Sequence, residues 1–406
     1  MKMWGRTSIL VLALGIALAM RLVTLWLVSG TEPVGDAENY LRMAHSIIAG
    51  DGLAVRGSTD PIVLPTASFP PALPLLLAAV GSIVPLTALT LTALNSVIDL
   101  CAAVLLGRLV TQWGRPDLSV LVGAFYLLWP SIALMAPFAY KEGLVIALML
   151  ATIVAFQTGA KANQWKWSII AGACAGLTIL AQPAIAPFFV LAFLVLLPTF
   201  QSKTHWLRAS VMAAVVAGLT MSPWWLRNAL VFDRFIPITT SSGLALWVGA
   251  LPGGGMKWQM PPAAFYVGGE LAGAKEASDA AWRIIRSDPV GYVVRCLAKL
   301  PKSLILSNWA VDQIVFAPGQ HRMSHPSLLR ATPTYAEVVA FICAAVAMIR
   351  FPRSTNTRMI LAGVAHILLF CIWFEFSQRH RLFLTPFLLI ACVTLLVGTK
   401  RTVEGA

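Results

Sequence analysis

The chain opens with TSILVLALGIALAMRLVTLWLVS at residues 7–29, followed closely by GDAENY at residues 35–40. The first stretch is apolar apart from Arg21 and is long enough to cross a bilayer as a helix. The second is polar and acidic, and it stands where such a helix would leave the membrane. An acidic side chain at that position can take a proton from a hydroxyl group. The two stretches together predict a membrane protein with chemistry at one membrane surface.

Composition supports a chain that lies mostly within a membrane. Of 406 residues, 58% are hydrophobic and 12% are charged, and the mean hydropathy is +0.78. These values exclude an ordinary soluble domain, and we expect residues 1–406 to form a single integral-membrane domain. The first helix is expected to be retained, because Arg21 interrupts it and no small-residue cleavage site follows.

Several classes of site are not expected. The net charge of +13 does not indicate a nucleic-acid partner, because the basic residues cluster at the ends of apolar segments. Five of the six cysteines fall inside apolar segments and only Cys296 lies in a polar loop, which predicts neither a disulfide framework nor a metal cluster. The chain also lacks a Walker loop, a His-Glu-x-x-His motif, a Gly-x-Ser-x-Gly motif and a dinucleotide fingerprint.

The apolar segments predict an all-α, polytopic fold with about ten spanning helices and with short amphipathic helices in the first and fourth outer connections. The spanning helices are expected near residues 7–29, 88–108, 118–136, 143–160, 167–181, 183–199, 209–227, 333–350, 358–376 and 383–399.

The charges predict the orientation of these helices. With the N-terminus inside, every inner connection is short and carries at least two basic residues, as the positive-inside rule requires. These residues are Lys2, Arg6, Arg108, Arg115, Lys161, Lys166, Lys203, Arg208, Arg350, Arg353, Arg358, Lys400 and Arg401. Both termini are therefore expected in the cytoplasm.

Two long outer connections, residues 30–87 and 228–332, are expected to form an active-site face, since long loops in a compact protein usually carry function. In the first, Asp36 is placed as the N-cap of a short surface helix with an apolar stripe, which Gly50-Asp51-Gly52 ends. The stripe comprises Tyr40, Ala44, Ile47 and Ile48. The segment 69–84 is expected to be a second surface or re-entrant helix, because a full span there would invert every later charge cluster.

The second long connection is basic, with eleven Lys and Arg from Arg227 to Arg330 against six Asp and Glu. Its charge suits an anionic ligand such as a lipid phosphate. A solvated loop with scattered charge is the alternative.

Acidic residues at the outer helix ends are the candidates for proton transfer. Asp36 is a candidate general base or a plain helix cap, and Glu38 either assists it or stabilises the first helical turn. Lys141 and Glu142 form a charged pair at the outer end of an apolar helix, which indicates either a functional site or mutual neutralisation.

Basic residues in the last outer turn are the candidates for binding phosphate. Arg379, His380 and Arg381 follow Gln378 on the side of the membrane that the positive-inside rule leaves poor in cations. An ion pair between Glu375 and Arg379 is the structural alternative.

A third group of polar residues lies within the apolar segments. Arg21 either extends towards the outer surface or faces the same site. Asn95, Asp99 and His366 are expected to be structural more than catalytic, with Asn95 and Asp99 on one face of a helix.

Four motifs in order resemble the GT-C superfamily of membrane glycosyltransferases, in particular the protein O-mannosyltransferase and aminoarabinose-transferase class. They reach from residue 21 to about residue 390, and each is weak alone. They are Arg21 with Gly35-Asp36-x-x-x-Tyr40 and Gly50-x-Gly52; residues 137–142; Pro223-Trp224-Trp225-Leu226-Arg227-Asn228 with Thr240-Ser241-Ser242-Gly243-Leu244 and Trp247-x-Gly249; and Arg379-His380-Arg381-Leu382 with Pro386.

The resemblance implies roles for these residues. Asp36 is similar to the family's essential first-loop acid, with Glu38 and Glu142 as further catalytic candidates. The donor phosphate would be bound by basic side chains, and Arg21 and Tyr40 would support the site. The basic candidates are Lys141, Arg227, Arg379, His380 and Arg381. Ala37 separates Asp36 from Glu38, where the family often has adjacent acids, and the large C-terminal outer domain of some members has no counterpart.

The expected activity is transfer of a sugar from a polyprenyl-phosphate carrier to a hydroxyl group on a glycolipid, polysaccharide or protein, at the outer face of the plasma (inner) membrane. The sparse acids favour a reaction without a metal cofactor, although a divalent metal is required by some superfamily members. A transporter or flippase of a lipid-linked saccharide is the main alternative, and a non-catalytic membrane scaffold is a third. Polar residues lining a path across the membrane would favour the transporter.

Overall fold

The computed structural model describes residues 3–56, 63–253, 255–256, 258–307, 309–316 and 326–398, and these are predominantly helical. The helices are α1 Met3–Val28, α2 Asp36–Ile48, α3 Ala72–Gly81, α4 Ala88–Gln112, α5 Ser119–Leu127, α6 Pro130–Ala133, α7 Glu142–Ala162, α8 Trp165–Ala181, α9 Ala186–Leu196, α10 Lys203–Phe232, α11 Ser242–Ala250, α12 Gly269–Ser287, α13 Pro289–Ile305, α14 Trp309–Val315, α15 Pro326–Arg350, α16 Thr355–His366 and α17 Thr385–Val397.

Shorter helical turns connect or extend these elements. Five are 3₁₀ turns at Pro116–Leu118, Pro183–Ile185, Leu197–Thr199, Ala263–Tyr266 and Gln378–Leu384, and a π-helical turn at Ile367–Cys371 continues α16.

Six helical segments of the described chain are long and apolar enough to cross a membrane. They are Thr7–Val28, Ala88–Gln112, Glu142–Ala162, Lys203–Phe232, Leu329–Arg350 and Gln378–Val397. The other four expected spans correspond to shorter apolar helices at Pro116–Leu127, Trp165–Ala181, Pro183–Thr199 and Thr355–Cys371. The all-α, polytopic architecture is thus confirmed, but the count of ten spans is not. Lys2, Lys400 and Arg401 of the predicted charge pattern lie outside the described residues.

Close packing of small residues holds the long helices together. A Cβ atom added at Gly172 of α8 would lie 2.6 Å from the Ala213 carbonyl oxygen of α10, and one at Gly176 would lie 2.7 Å from Thr220 Cβ. Glycine is therefore needed where these two helices touch, as is common where membrane helices approach closely.

The first long connection folds into α2, a small hairpin and α3. The hairpin strands β1 Ala54–Arg56 and β2 Val63–Pro65 pair antiparallel, with Val55 opposite Leu64, and the sequence did not predict them. Helix α3 has ten residues and is therefore about 15 Å long, too short to span a bilayer. This length agrees with the surface or re-entrant helix expected for residues 69–84.

Hydrogen bonds join the two long connections to each other. Glu270 of α12 accepts bonds from the Thr66 hydroxyl (2.6 Å), the Ala67 amide (2.9 Å) and the Thr240 hydroxyl (2.7 Å). From the end of α10, Arg227 donates to the carbonyl oxygens of Thr66 (2.9 Å) and Leu53 (2.7 Å). We call the surface that residues 30–87 and 228–332 form together the loop face.

A buried ion pair fixes the start of the last helix. Arg381 and Glu337 are both fully buried, with 2.9 Å between Arg381 Nη1 and Glu337 Oε2. The remaining nitrogens of Arg381 donate to the carbonyl oxygens of Ser303 (2.6 Å) and Leu306 (2.9 Å). Trp129 Nε1 donates to Glu337 Oε1 at 3.0 Å. Because both charges have several partners, this cluster ties α15, the end of α13 and the Gln378–Leu384 turn together.

Removing one charge of this pair should destabilise the protein strongly. Arg381→Leu leaves the Glu337 carboxylate buried without its cation, and the free energy of unfolding should fall by about 3–5 kcal/mol. Replacing both residues by leucine should cost less than either single change, since no buried charge remains. Unfolding in mixed SDS micelles, followed by tryptophan fluorescence, measures these free energies.

Arg283→Ala is the matched control, because it breaks an exposed ion pair with Glu276. It should change the free energy of unfolding by less than about 1 kcal/mol. Equal losses in Arg381→Leu and Arg283→Ala would contradict the structural role of the buried pair.

Candidate active site

Helix α2 places Asp36 at the loop face. Gly35 precedes the helix with φ 62° and ψ −131°, and no side chain caps the first turn. The expectation that Asp36 is the N-cap is therefore wrong: Asp36 is the first helical residue, and its carboxylate accepts a hydrogen bond from Arg379 instead. The predicted apolar face is largely buried through Tyr40 and Ala44, and the Tyr40 ring packs edge-on against Phe69. Burial of this face holds Asp36 in place.

Helix α7 brings the second carboxylate to the same place. Glu142 is its first residue and Lys141 is its N-cap. The preceding segment is held by Asn95 of α4, whose Nδ2 donates to the carbonyl oxygens of Ala136 (2.8 Å) and Phe138 (2.9 Å). Helix α4 thus fixes the point at which Lys141 and Glu142 enter the site.

One turn along α4, Asp99 supports the same helix start. Its carboxylate pairs with Arg21 of α1, with 2.6 Å between Arg21 Nη2 and Asp99 Oδ2. A Cβ atom at Gly143 would lie 3.3 Å from Asp99 Oδ1, so α4 and the beginning of α7 are in close contact. Arg21 is buried, and its contact with this region is through Asp99.

Arg379, in the Gln378–Leu384 turn, lies between the two carboxylates. It donates to Asp36 Oδ2, and its Nη1 lies 3.9 Å from Glu142 Oε1. Its guanidinium carbon stands 5.8 Å from the ring centre of Tyr140 and 5.1 Å from that of Trp309. Residues far apart in the sequence thus form one charged cluster with an aromatic wall.

Glu142 is the member of this cluster with unused hydrogen-bonding capacity. The residue is 2% exposed, and neither carboxylate oxygen has a hydrogen-bond partner among the described residues. A buried carboxylate without such partners is unfavourable for folding, and groups of this kind concentrate at functional sites. Glu142 is therefore suited to accept a hydrogen bond from a ligand.

The cluster shifts the pKa values of its carboxyl groups in opposite directions. Burial tends to raise the pKa of Asp36, but the charges of Arg379 and Lys141 and the Arg379 hydrogen bond outweigh it, so the pKa lies below its usual value. Burial raises the pKa of Glu375 to about 6, although Arg379 opposes this change. Asp36 is therefore ionised at neutral pH, whereas Glu375 titrates close to it.

Lys141 completes the electrostatics of the cluster. Burial lowers the pKa of Lys141, and the positive charge of Arg379 lowers it further. The negative charges of Glu142, Asp36 and Glu375 raise it, but not enough to reverse the change. The site therefore combines a lysine and an arginine with three carboxyl groups at short range.

The other predicted site residues have different surroundings. Glu38 forms an exposed i,i+4 ion pair with Arg42 (2.6 Å). His380 Nδ1 accepts a bond from the Ser377 amide (3.2 Å) and lies 3.8 Å from Glu375. Arg227 binds carbonyl groups of the first connection, and Arg381 is enclosed with Glu337. Of the predicted residues, Asp36, Lys141, Glu142 and Arg379 form the centre, Tyr40 supports it and His380 lies beside it, whereas Glu38, Arg227 and Arg381 have other partners.

Sequence reasoning missed the aromatic wall and one buried acid. Tyr140 and Trp309 pack edge to face at 4.4 Å, and no local pattern indicates that contact between distant segments. Glu337 was detectable, because it is the only acidic residue in the predicted span 333–350 and such residues mark sites by default.

Comparison with known proteins identifies the fold. No family model matches the chain, and no curated protein matches it. Solved structures of the oligosaccharyltransferase AglB from Archaeoglobus fulgidus do match, at 15% identity and 98% coverage of this chain. The complex with an inhibitory peptide and a dolichol-phosphate has a TM-score of 0.58 and the apo form 0.59. The chain spans about half of AglB, with 50% and 51% of its length covered.

A second solved protein is similar over more of its own length. ArnT from Cupriavidus metallidurans, bound to undecaprenyl phosphate, matches at 16% identity over 96% of this chain and 77% of its own. Its TM-score of 0.45 is too low to support an argument. The AglB match shows that this chain shares the fold of that protein, and together with the apolar helices it supports the multi-pass membrane fold that the sequence resemblance implied.

A divalent metal does not fit the cluster as it is arranged. One AglB structure is a complex with Zn and sulfate. In the described part of this chain, no three His, Cys, Asp or Glu side chains converge as metal ligands. The Asp36 carboxylate is bonded to Arg379, and the same guanidinium approaches Glu142, so a cation already stands where a metal would bind. Independence from a metal stays a prediction.

Glu375 gives the site a measurable titration. Infrared difference spectra against pH should show a buried carboxyl group with a midpoint of about 6 that is lost in Glu375→Gln. Because Arg379 lowers the Glu375 pKa, Arg379→Gln should move the midpoint upwards. An unchanged midpoint in Arg379→Gln would show that the two groups are not coupled.

Asn95 should control the mobility of the segment before Lys141. Asn95→Leu removes the side-chain donor of the Ala136 and Phe138 carbonyl groups, at a cost of about 1–3 kcal/mol, although the Phe138 carbonyl keeps its bond from the Tyr140 amide (3.0 Å). Amide hydrogen exchange in residues 134–143 should therefore become faster. Ser96→Ala is the control, since Ser96 bonds only within α4 in the described structure, to the Thr92 carbonyl. Equal exchange in the two variants would refute this role of Asn95.

Proposed function

We propose that this membrane protein transfers a sugar from a polyprenyl-phosphate carrier to a hydroxyl group of a glycolipid, polysaccharide or protein. The observation that carries the proposal is the convergence of Asp36, Glu142, Lys141 and Arg379 at the loop face of a GT-C fold. One AglB structure is described with a dolichol-phosphate. A related lipid phosphate suits the two cations of this site.

The basic residues would act on the leaving group. When the bond between the sugar C1 and the phosphate oxygen breaks, the electron pair stays on the polyprenyl phosphate, which gains one negative charge. Lys141 and the Nη1 side of Arg379 can stabilise that charge, and their effect is strengthened because the site is partly withdrawn from water. Lys141, with its pKa lowered by burial, gains most from a nearby anion.

The acidic residues would act on the acceptor. As the acceptor oxygen bonds to C1, its proton passes to the Asp36 carboxylate. Because its pKa is lowered, Asp36 is ionised and can accept this proton. Proton transfer becomes favourable as the bond to C1 forms, since that bond makes the hydroxyl group more acidic. The unpartnered oxygens of Glu142 would accept hydrogen bonds from hydroxyl groups of the sugar or the acceptor.

The remaining assignments follow from this arrangement. Tyr40 supports Asp36 through the buried face of α2, and Arg21 supports Glu142 through Asp99. His380 lies at the edge of the site. We place the loop face on the outer side of the plasma membrane with both termini in the cytoplasm, as the charges at the helix ends favour. We retain the single-domain description of residues 1–406.

The test uses purified protein in liposomes with a panel of labelled polyprenyl-phosphate monosaccharides and a lipid and polysaccharide extract as acceptor. Asp36→Asn should lower the rate of label transfer by about 10²–10⁴-fold, the usual range for removal of a general base. Arg379→Lys should also reduce the rate, since a lysine cannot bond to two oxygens side by side.

Glu38→Gln is the matched control, because it removes a carboxylate two residues away that lies in an exposed ion pair. It should keep nearly the wild-type rate. Full activity in Asp36→Asn would exclude Asp36 as the base. Transport of the labelled lipid across the bilayer without transfer, unaffected by Asp36→Asn, would favour a transporter instead.

A further inference from the structure

Helix α13 has inverted polarity. The side chains that it buries are polar or ionisable, at the helical spacing of Tyr292, Cys296, Lys299 and Ser303, and Lys299 is only 3% exposed. Its outward face is aliphatic, with Val290 74% exposed. Val293, Val294 and Leu297 share that exposed face. Soluble proteins show the opposite arrangement, because exposed aliphatic side chains order water without compensation.

The preceding helix gives the contrast within the same connection. The exposed face of α12 carries charged side chains, among them Lys275 paired with Asp279 and Arg283 paired with Glu276. Only residues 288 and 289 separate the exposed end of α12 from Val290. Two adjacent helices with opposite surfaces indicate two different surroundings, water for α12 and an apolar medium for α13.

The buried face of α13 is polar because it binds backbone carbonyl groups. Tyr292 donates to the Trp373 carbonyl (2.5 Å), Lys299 to that of Phe374 (2.9 Å) and Ser303 to that of Phe376 (3.2 Å). These carbonyl groups belong to residues on either side of Glu375, and Arg379 follows shortly after them in the sequence. The inner face of α13 therefore holds the segment that carries both residues into the site.

Helix α13 lies beside a helix that is long and apolar enough to span the membrane. Helix α13 contacts α15, a candidate span whose exposed side chains include Val339, Ile342 and Val346. The exposed Lys302 near the end of α13 can direct its ammonium group to lipid phosphate while its stem stays in apolar surroundings. Acyl chains fit the exposed aliphatic side chains of both helices, with a lysine at the margin of α13.

We propose that α13 is embedded in the lipid leaflet on the loop face, with its valine and leucine side chains against acyl chains, and that its opposite face positions residues 373–376 for the site. The sequence predicted short amphipathic helices in the outer connection 228–332, and this position sets one of them, α13, within the lipid leaflet. It concerns where the helix lies and holds whatever reaction the site performs.

Spin labelling tests the position of the helix. Single nitroxides are attached at position 294 of α13 or position 283 of α12, in a chain whose native cysteines are replaced by serine or alanine, and each variant is reconstituted in phosphatidylcholine–phosphatidylglycerol vesicles. The label at 294 should collide more with oxygen, which concentrates in lipid, and the label at 283 more with a water-soluble nickel chelate.

Two results would overturn the lipid assignment. In the first, the label at 294 collides with the nickel chelate as often as the label at 283 does, which would place α13 in water. The other is protection of the label at 294 from both reagents, which would indicate a protein partner on this face. Wild-type elution in gel filtration confirms that each labelled chain is folded.

A second measurement tests the inner face. Lys299→Met removes the donor to the Phe374 carbonyl, and amide exchange in residues 373–379 should become about tenfold faster or more, as expected for loss of a charge-assisted hydrogen bond. Lys302→Met is the matched control, because Lys302 is exposed on the same helix, and it should leave this exchange unchanged. The same exchange rate in both variants would overturn the positioning role.

Discussion

The position of Arg379 depends on one constraint: a guanidinium that is largely withdrawn from solvent must have anionic partners close by. Asp36 supplies one from the start of α2 and Glu142 approaches from the start of α7. The starts of α2 and α7 and the Gln378–Leu384 turn therefore meet around this guanidinium. The aromatic rings of Tyr140 and Trp309 cover the same cation and keep water from weakening its interactions.

The neighbouring arginine shows how geometry separates two residues of the same type. In a 3₁₀ turn three residues complete one revolution, so residues two apart point in different directions. Arg379 faces the site, whereas Arg381 enters the core and binds Glu337 and the end of α13. The motif that contains both residues therefore contributes one arginine to the candidate site and one to the buried core. The same turn connects the charged cluster to the protein core, because Arg381 anchors it to Glu337 and to the end of α13.

Much of the architecture followed from local pattern. Apolar length predicted the spanning helices, and the acidic patch at residues 35–40 predicted the short helix that begins at Asp36. Of the four shorter apolar helices, Trp165–Ala181 and Pro183–Thr199 keep nearly the expected bounds. The other two end before the expected residues 136 and 376, one at a break before Pro130 and one in the π-helical turn Ile367–Cys371. Hydropathy averages over such interruptions and cannot detect them. The hairpin of β1 and β2 was missed for a similar reason, since three-residue strands are too short to show a period.

The sequence by itself determined which segments are apolar, which charges stand at their ends and which residue types are available for chemistry, because these properties depend only on neighbouring residues. The tertiary structure decided which charges meet. Asp36 and Arg379 are 343 residues apart, and whether a given arginine binds Asp36, Glu337 or a backbone carbonyl depends on helix packing. It also decided that α13 turns Lys299 inwards and its valines outwards, since the composition of an amphipathic helix does not state which face meets the protein.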